Sequence, residues 1–394
     1  MIKYLTTLLW NSRKRFLGIV SEQALVYIVL TFCMVSLFDA IRQYREPGLL
    51  HTEDVVLIDF MAPSLRSQQD LDKCKEINKA IDAGIANIKQ WNNVIDVSES
   101  SSLVPYLRET ENYMTDSVTI SGRKFNVQVK WADVAAQNVF DIRMEEGEWL
   151  PVLPNGAKPA VISRQLADQV GSDHSLIGTQ VFDRNNMPYT ITGIVSGIKS
   201  NVFDAALPCI IVPFTRFDRA IYREICVRVK PGQLNEFCNG AYHEFKRLVP
   251  NFNNIEFLVR DMQVFKEKNM FSVASRLKLS FIPTIFLLIF AFIGALGLLM
   301  LNVKKRAKEF GIHRAIGATS KKLQWWMVAQ SLFLTLIASI PGIILSLCVF
   351  SITVTSLLAI LTSLVTMLVF SFISSYYPAW QVTKINPAIV LHQD

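Results

Sequence analysis

The sequence predicts a membrane protein with four transmembrane α-helices and a large α+β extracytoplasmic domain between the first and second. Three observations predict it. Residues 279–303 and 323–383 contain no charged side chain, whereas about 20 apolar residues suffice to cross a hydrocarbon core of about 30 Å. Residues 39–275 have ordinary globular composition, with 26 basic and 30 acidic residues. The chain's net charge of +7 therefore comes from the flanks of the apolar runs, and short segments rich in Lys and Arg stay on the cytoplasmic side.

Each element follows in order. Residues 1–15 place Tyr4, Leu5, Leu8, Leu9 and Trp10 beside Lys3, Arg13, Lys14 and Arg15, which predicts an amphipathic helix on the cytoplasmic leaflet. Residues 16–38 form the first span, interrupted only by Glu22 and Gln23; its length and the absence of a small-residue cleavage site speak against a removable signal peptide. Between 39 and 275, DVVLIDF from Asp54 reads as a strand, the Ile-rich stretch at 68–91 as an amphipathic helix, and NVIDVS from Asn93 as a strand. A second strand-helix-strand comprises EICVRV from Glu224, a helix over 234–249 and NIEFLV from Asn254. The Gly- and Pro-punctuated region between these units, 131–213, predicts an inserted, mainly β subdomain. Residues 279–303 form the second span, 304–322 a basic loop, 323–348 the third span, 354–376 the fourth and 377–394 a tail. The third and fourth spans join at their most polar point, Ser351 to Ser356. Four spans put both termini in the cytoplasm.

The composition excludes several functions. A sequence pI near 9.0 belongs to the membrane flanks and implies no nucleic acid. His51, His174, His243, His313 and His392 are scattered, and no GxSxG, HExxH or GxxxxGK[ST] motif occurs, so neither a catalytic site nor a metal or cofactor site is expected. Cys74, Cys209, Cys226 and Cys238 lie outside the spans without CxxC spacing; free thiols and one or two disulfides are both compatible with that placement.

The most informative stretch is KKRAKEFGIHRAIGATSKKLQ, Lys304 to Gln324, with seven Lys or Arg and one Glu. A topology anchor needs only charge. Here, however, Glu309 follows Lys305 by four and precedes His313 by four, which allows pairing along one helix face. Gly317 is placed to end that helix, and Thr319 or Ser320 to cap the next. Small residues at set places in a compact helix-turn-helix suit a contact surface better than an anchor. Within the spans, Glu22, Gln23 and Gln330 are candidate functional polar residues, because charge and amide groups are costly in hydrocarbon.

The segment RAKEFGIHRAIGAT, Arg306 to Thr319, resembles the E-x-G-x-x-R-A-x-G-A signature of MacB/FtsX-like ABC transporter permeases, with Glu309, Gly311, Arg314, Ala315, Gly317 and Ala318 in the matching places. The tail PAW-x-V-x-K-I-NP from Pro378, with Pro387 and Leu391, is similar to that family's end, and EEGEW, VISRQLADQVG and YTITGIV are similar to its periplasmic domain. Gln330 stands where the family often has Glu.

The resemblance implies a non-catalytic, mechanotransmission-type permease whose loop docks on a separate cytoplasmic ATPase that binds the ATP. Lys305, Arg306, Glu309, Gly311, Ile312, Arg314, Ala315, Gly317, Ala318 and Thr319 would make that coupling surface. It further implies a second permease copy, stalk helices near 39–45 and 262–275, a periplasmic adaptor or outer-membrane channel as a further partner, and a place in a bacterial inner membrane. Export or extraction of a periplasmic substrate is the first expectation; an FtsX-like subunit that regulates a periplasmic enzyme is the alternative.

Overall fold

The computed structural model describes residues 13–61, 68–106, 115–171, 175–215, 223–248 and 256–383. The predicted N-terminal amphipathic helix lies almost wholly outside them, as do Pro387, Leu391 and the first residues of the NIEFLV strand. The chain divides into two compact units, one of residues 1–42 and 273–394 and one of residues 43–272.

The first unit is helical. Its elements are α1 (Arg13–Arg45), the later part of α6 (Met262–Lys305), α7 (Ala307–Ala315), α8 (Ser320–Val349) and α9 (Val354–Thr383). Helices α1, α6, α8 and α9 are each long and apolar enough to cross a membrane. Side chains meet in two clusters. In one, Val26, Tyr27 and Leu30 of α1 pack with Leu288 and Ala291 of α6 and Met367 of α9. In the other, Val303 of α6, Phe310 of α7, Leu323, Met327 and Val328 of α8 and Ala379 of α9 come together. Large apolar residues at helical spacing on α6, among them Leu279, Ile282, Phe286 and Ile293, remain exposed, as hydrocarbon-facing residues do.

The α8–α9 connection explains the polar SITVTS stretch. Thr353 Oγ1 accepts from the Ser356 backbone N–H at 3.2 Å, while Ser356 Oγ accepts from the Thr353 N–H at 3.0 Å. Two orphan donors of the α9 N-terminus are thus satisfied reciprocally, a capping box built with serine. Thr355 Oγ1 also donates to Asp39 Oδ1 of α1 at 3.3 Å.

The second unit holds every strand among the described residues. Strands β1 (Val55–Met61), β2 (Val94–Ser101), β10 (Glu224–Val229) and β11 (Glu256–Asp261) pair antiparallel in the order β11-β1-β10-β2. This is the split βαβ arrangement, in which each strand-helix-strand unit contributes one central and one edge strand. Helices α2 (Gln68–Ile88) and α5 (Leu234–Leu248) cover one face. The helical spacing read in the sequence does the covering: Ile77, Ile81, Ile85 and Ile88 are buried against Phe237, Ala241 and Phe245. Gly84 lets the helices approach, since a Cβ there would sit 2.4 Å from Phe245 Cε1.

Between β2 and β10 the chain inserts β3 (Thr115–Ile120), β4 (Arg123–Ala132), α3 (Ala136–Phe140), β5 (Met144–Gly147), β6 (Lys158–Ser163), α4 (Arg164–Val170), β7 (Gln180–Phe182), β8 (Pro188–Val195) and β9 (Cys209–Pro213). The inserted subdomain is a barrel. The order β4-β3-β7-β8-β6-β9 is closed by a parallel β4–β9 pairing from Gln128↔Cys209 to Ala132↔Pro213. Closure removes edges that would otherwise be left unpaired. One end is plugged by α4, whose Leu166, Ala167 and Val170 pack with Ile120, Phe125 and Val127.

A buried ionic cluster lies where β2 meets β4. The Glu224 carboxylate accepts from Ser100 Oγ and from the backbone N–H groups of Ser102, Leu103 and Val104 at 3.0–3.2 Å. Lys130 Nζ donates to Ser102 O at 2.8 Å. Burial pushes the Glu224 carboxyl up and the Lys130 amine down, because each charged form loses hydration. Of the four cysteines outside the spans, Cys209, Cys226 and Cys238 are free thiols; the Cys74 side chain lies outside those described.

Candidate functional site

The basic loop is ordered by local chemistry. Helix α6 ends at Lys305, Arg306 leaves the helical region at φ −102° and ψ 14°, and α7 begins at Ala307. The helix face expected to carry Lys305, Glu309 and His313 is therefore broken at Arg306. Helix α7 ends in a Schellman motif: Gly317 N–H donates to Arg314 O at 3.1 Å and Ala318 N–H to His313 O at 2.9 Å. Gly317 sits at φ +101°, where a Cβ would be strained. Thr319 then caps α8, its hydroxyl accepting from the Lys322 N–H at 3.3 Å. Four residues thus turn the chain from one helix into the next.

Aromatic packing fixes this turn to the bundle. Phe310 is fully buried, and its ring meets Trp326 edge-on at 6.3 Å. The Arg306 guanidinium lies 5.3 Å from the Phe310 centroid and 5.1 Å from that of Trp326, within cation–π range. Arg306 also donates to Glu309 Oε2 at 2.7 Å. This corrects one expectation. Glu309 pairs with Arg306, not with Lys305 or His313, because the break places Arg306 at the N-terminus of α7, three residues before it. Arg306 is at the same time held against the two rings.

The predicted coupling residues sort by exposure. Gly311 is buried, Arg306, Arg314 and Ala318 are half-buried, and Lys305, Glu309, Ile312, Ala315, Gly317 and Thr319 are exposed. Arg314 Nη1 donates to Thr383 O at the end of α9, 3.3 Å away. Ile312 and Ile316 are 47% and 79% exposed; with Ala315 they form an apolar ridge at helical spacing, on a loop that also exposes Lys304, Lys305, Lys308 and His313. Sequence reasoning missed Ile316, although its offset of four from Ile312 was a usable signal. It also missed Phe310 and Trp326, whose meeting depends on how α7 folds back on α8.

The intramembrane polar residues fall in two places. Gln23 is buried and accepts from Thr335 Oγ1 at 3.1 Å, and Ser331 and Ser371 share a hydrogen bond of 3.0 Å between α8 and α9. Gln330 is also buried, with Oε1 lacking a hydrogen-bond partner. Glu22 lies apart, against Gly294 of α6, where a Cβ would be 3.0 Å from its Oε1. Among the described residues no group of three or more His, Cys, Asp or Glu could hold a metal ion.

Residues 28–236 match the MacB-like periplasmic core domain family, and residues 281–387 the FtsX-like permease C-terminal family. The chain belongs to the MacB/FtsX-like permease family. It is a multi-pass membrane protein of that family, with four candidate spans and an α+β domain of periplasmic type after the first. A probable export ATP-binding/permease protein of Pseudomonas fluorescens is 25% identical over 318 residues, covering 72% of this chain and 47% of that protein. The macrolide export ATP-binding/permease protein MacB of Syntrophobacter fumaroxidans is 24% identical over 209 residues, 50% of this chain and 28% of that protein. The chain spans about half the length, or less, of these relatives. The crystal structure of the periplasmic region of MacB from Actinobacillus actinomycetemcomitans aligns with 55% of this chain and 93% of its own at 11% identity and a TM-score of 0.37.

Proposed function

We propose that this chain is the permease subunit of an ABC exporter in a bacterial inner membrane, with both termini cytoplasmic, and that a separate ATPase subunit docks on residues 304–322. In this reading ATP binds and is hydrolysed on the partner alone. Two permease copies form the working unit, and the nucleotide cycle drives movement of residues 43–272, which moves substrate out of the periplasm or the outer leaflet. Continuity supports such transmission: α1 and α6 each carry residues of both units on one helix, and helices are stiff enough to pass a hinge motion.

The observation that carries the proposal is the exposed Ile312–Ala315–Ile316 ridge on a loop otherwise rich in charge. A topology anchor gains nothing from bare isoleucines, whereas a protein groove does. The names of the relatives, which join ATP-binding and permease parts, support an ATPase as the occupant. The test uses the tagged full chain in native membranes, comparing Ala315→Lys and Ile316→Glu with wild type. Both variants keep or increase polarity and should insert normally. Recovery of a Walker A-bearing subunit is expected to fall on the order of tenfold or more, the loss expected from a hot-spot contact; recovery at the wild-type level would overturn the docking surface.

A further inference from the structure

Among the described residues, the inserted barrel is plugged at one end and open at the other. Strand register sets which residues face inward: Asp116 pairs with Val127 and Val118 with Phe125, while Val129 pairs with Ile210 and Trp131 with Val212. Val118, Val181, Ile210 and Val212 are buried, yet Val129, Trp131 and Tyr189, packed on the same core, are only half-buried. They wall a cavity of about 470 Å³, the size range of small-molecule sites, for which barrel mouths are a common place. A six-stranded barrel has no volume to spare for an empty interior, so an inward-facing Trp beside a void is notable.

Charge is arranged at the rim. Asp116 is an inward-side position at the mouth, with Asp183 and Arg184 beside it. Asp183 Oδ1 is committed to its own turn, accepting from the N–H groups of Asn185 and Met187 at 2.9 and 2.8 Å. Asp116 Oδ1 accepts from the Ser117 N–H at 2.8 Å. Its other oxygen meets Arg184 Nε only at 3.5 Å, and the Arg184 side chain is 65% exposed. That pair is long, solvent-screened and weak. A cation already rests near the aromatic wall as well, Lys158 Nζ lying 5.8 Å from the Tyr189 centroid.

We infer that the barrel mouth is a binding site for a small amphiphilic organic cation, whose flat apolar body lies against Trp131, Tyr189, Val129 and Val212 and whose positive group replaces Arg184 at Asp116. Aromatic faces and a carboxylate both favour a cation there. The site does not depend on the ATPase reading, since it uses the outer unit alone. Arg184 acts as a built-in competitor, which gives the proposal an unusual signature. Removing the competing cation tightens binding, and removing the carboxylate weakens it.

Fluorescence polarisation of rhodamine 6G, a flat xanthene cation, with the detergent-purified full chain tests this; fluorescein, an anion on the same ring framework, is the control. Saturable rhodamine binding is expected, about tenfold weaker in Asp116→Asn and in Trp131→Ala and severalfold tighter in Arg184→Ala. Asp116→Asn is isosteric and keeps the Ser117 contact, so it remains decisive should Trp131→Ala fold poorly. Equal rhodamine affinity in wild type, Asp116→Asn and Arg184→Ala, no saturable binding in wild type, or fluorescein binding as tightly as rhodamine would overturn the site.

Discussion

Single residues decide where the helices of this chain can touch. Gly342 of α8 faces Tyr27 of α1, and a Cβ there would sit 2.4 Å from Tyr27 Cδ1. Small residues at such crossings are what bring membrane helices together. Tyr27 itself is fully buried and donates to Ile360 O of α9 at 3.2 Å, tying three helices at one point. Gly342→Ala is therefore expected to cost about 1–3 kcal/mol, the range for overpacking, and Tyr27→Ala in the same chain to recover part of it. Thermal unfolding in detergent measures both. No recovery in the double variant would place the cost elsewhere than this contact. The sequence displayed Pro341-Gly342 but not its purpose, because nothing local names the tyrosine 315 positions away. Gly317 and Thr319 were legible for the opposite reason. A left-handed turn and an N-cap are local demands that only a few residue types meet.

At the scale of elements, the period of the pattern carried most of the information. Helical spacing of isoleucines marked α2, and short apolar runs marked β1, β2 and β10. Barrel closure was not visible, since the parallel β4–β9 pairing joins segments about 80 residues apart and neither strand carries a sign of its partner. Strand β4 also defeats the alternating pattern, because both its faces are covered: Val127 lies in the barrel core while Gln128 and Lys130 are buried on the other side. A buried lysine reads in sequence as a surface one. Lys130 and Glu224 attract each other through space within one buried cluster, and losing the cation leaves the carboxylate uncompensated, so Lys130→Met is expected to destabilise the outer unit by about 3–5 kcal/mol. Adding Glu224→Gln should return part of that loss. Calorimetry of the full chain checks the order of the transitions, and a double variant no better than Lys130→Met alone would mean that the two charges do not compensate each other.

For the whole molecule, membership of the MacB/FtsX-like permease family was written in the loop signature, while the division of labour within it had to come from structure. Glu309, Arg306, Phe310 and Gly311 build and hold the loop; Ile312, Ala315 and Ile316 are what it presents. The proposed sequence of events then runs from an ATPase on that ridge to movement of residues 43–272. Amide hydrogen exchange in the outer unit, read by mass spectrometry on the chain reconstituted in nanodiscs with its ATPase, tests that sequence most directly. Adding ATP should change exchange in residues 43–272 of the wild type and leave it unchanged in Ala315→Lys. Exchange that ignores ATP in the wild type, or responds equally in Ala315→Lys, would contradict transmission through the loop.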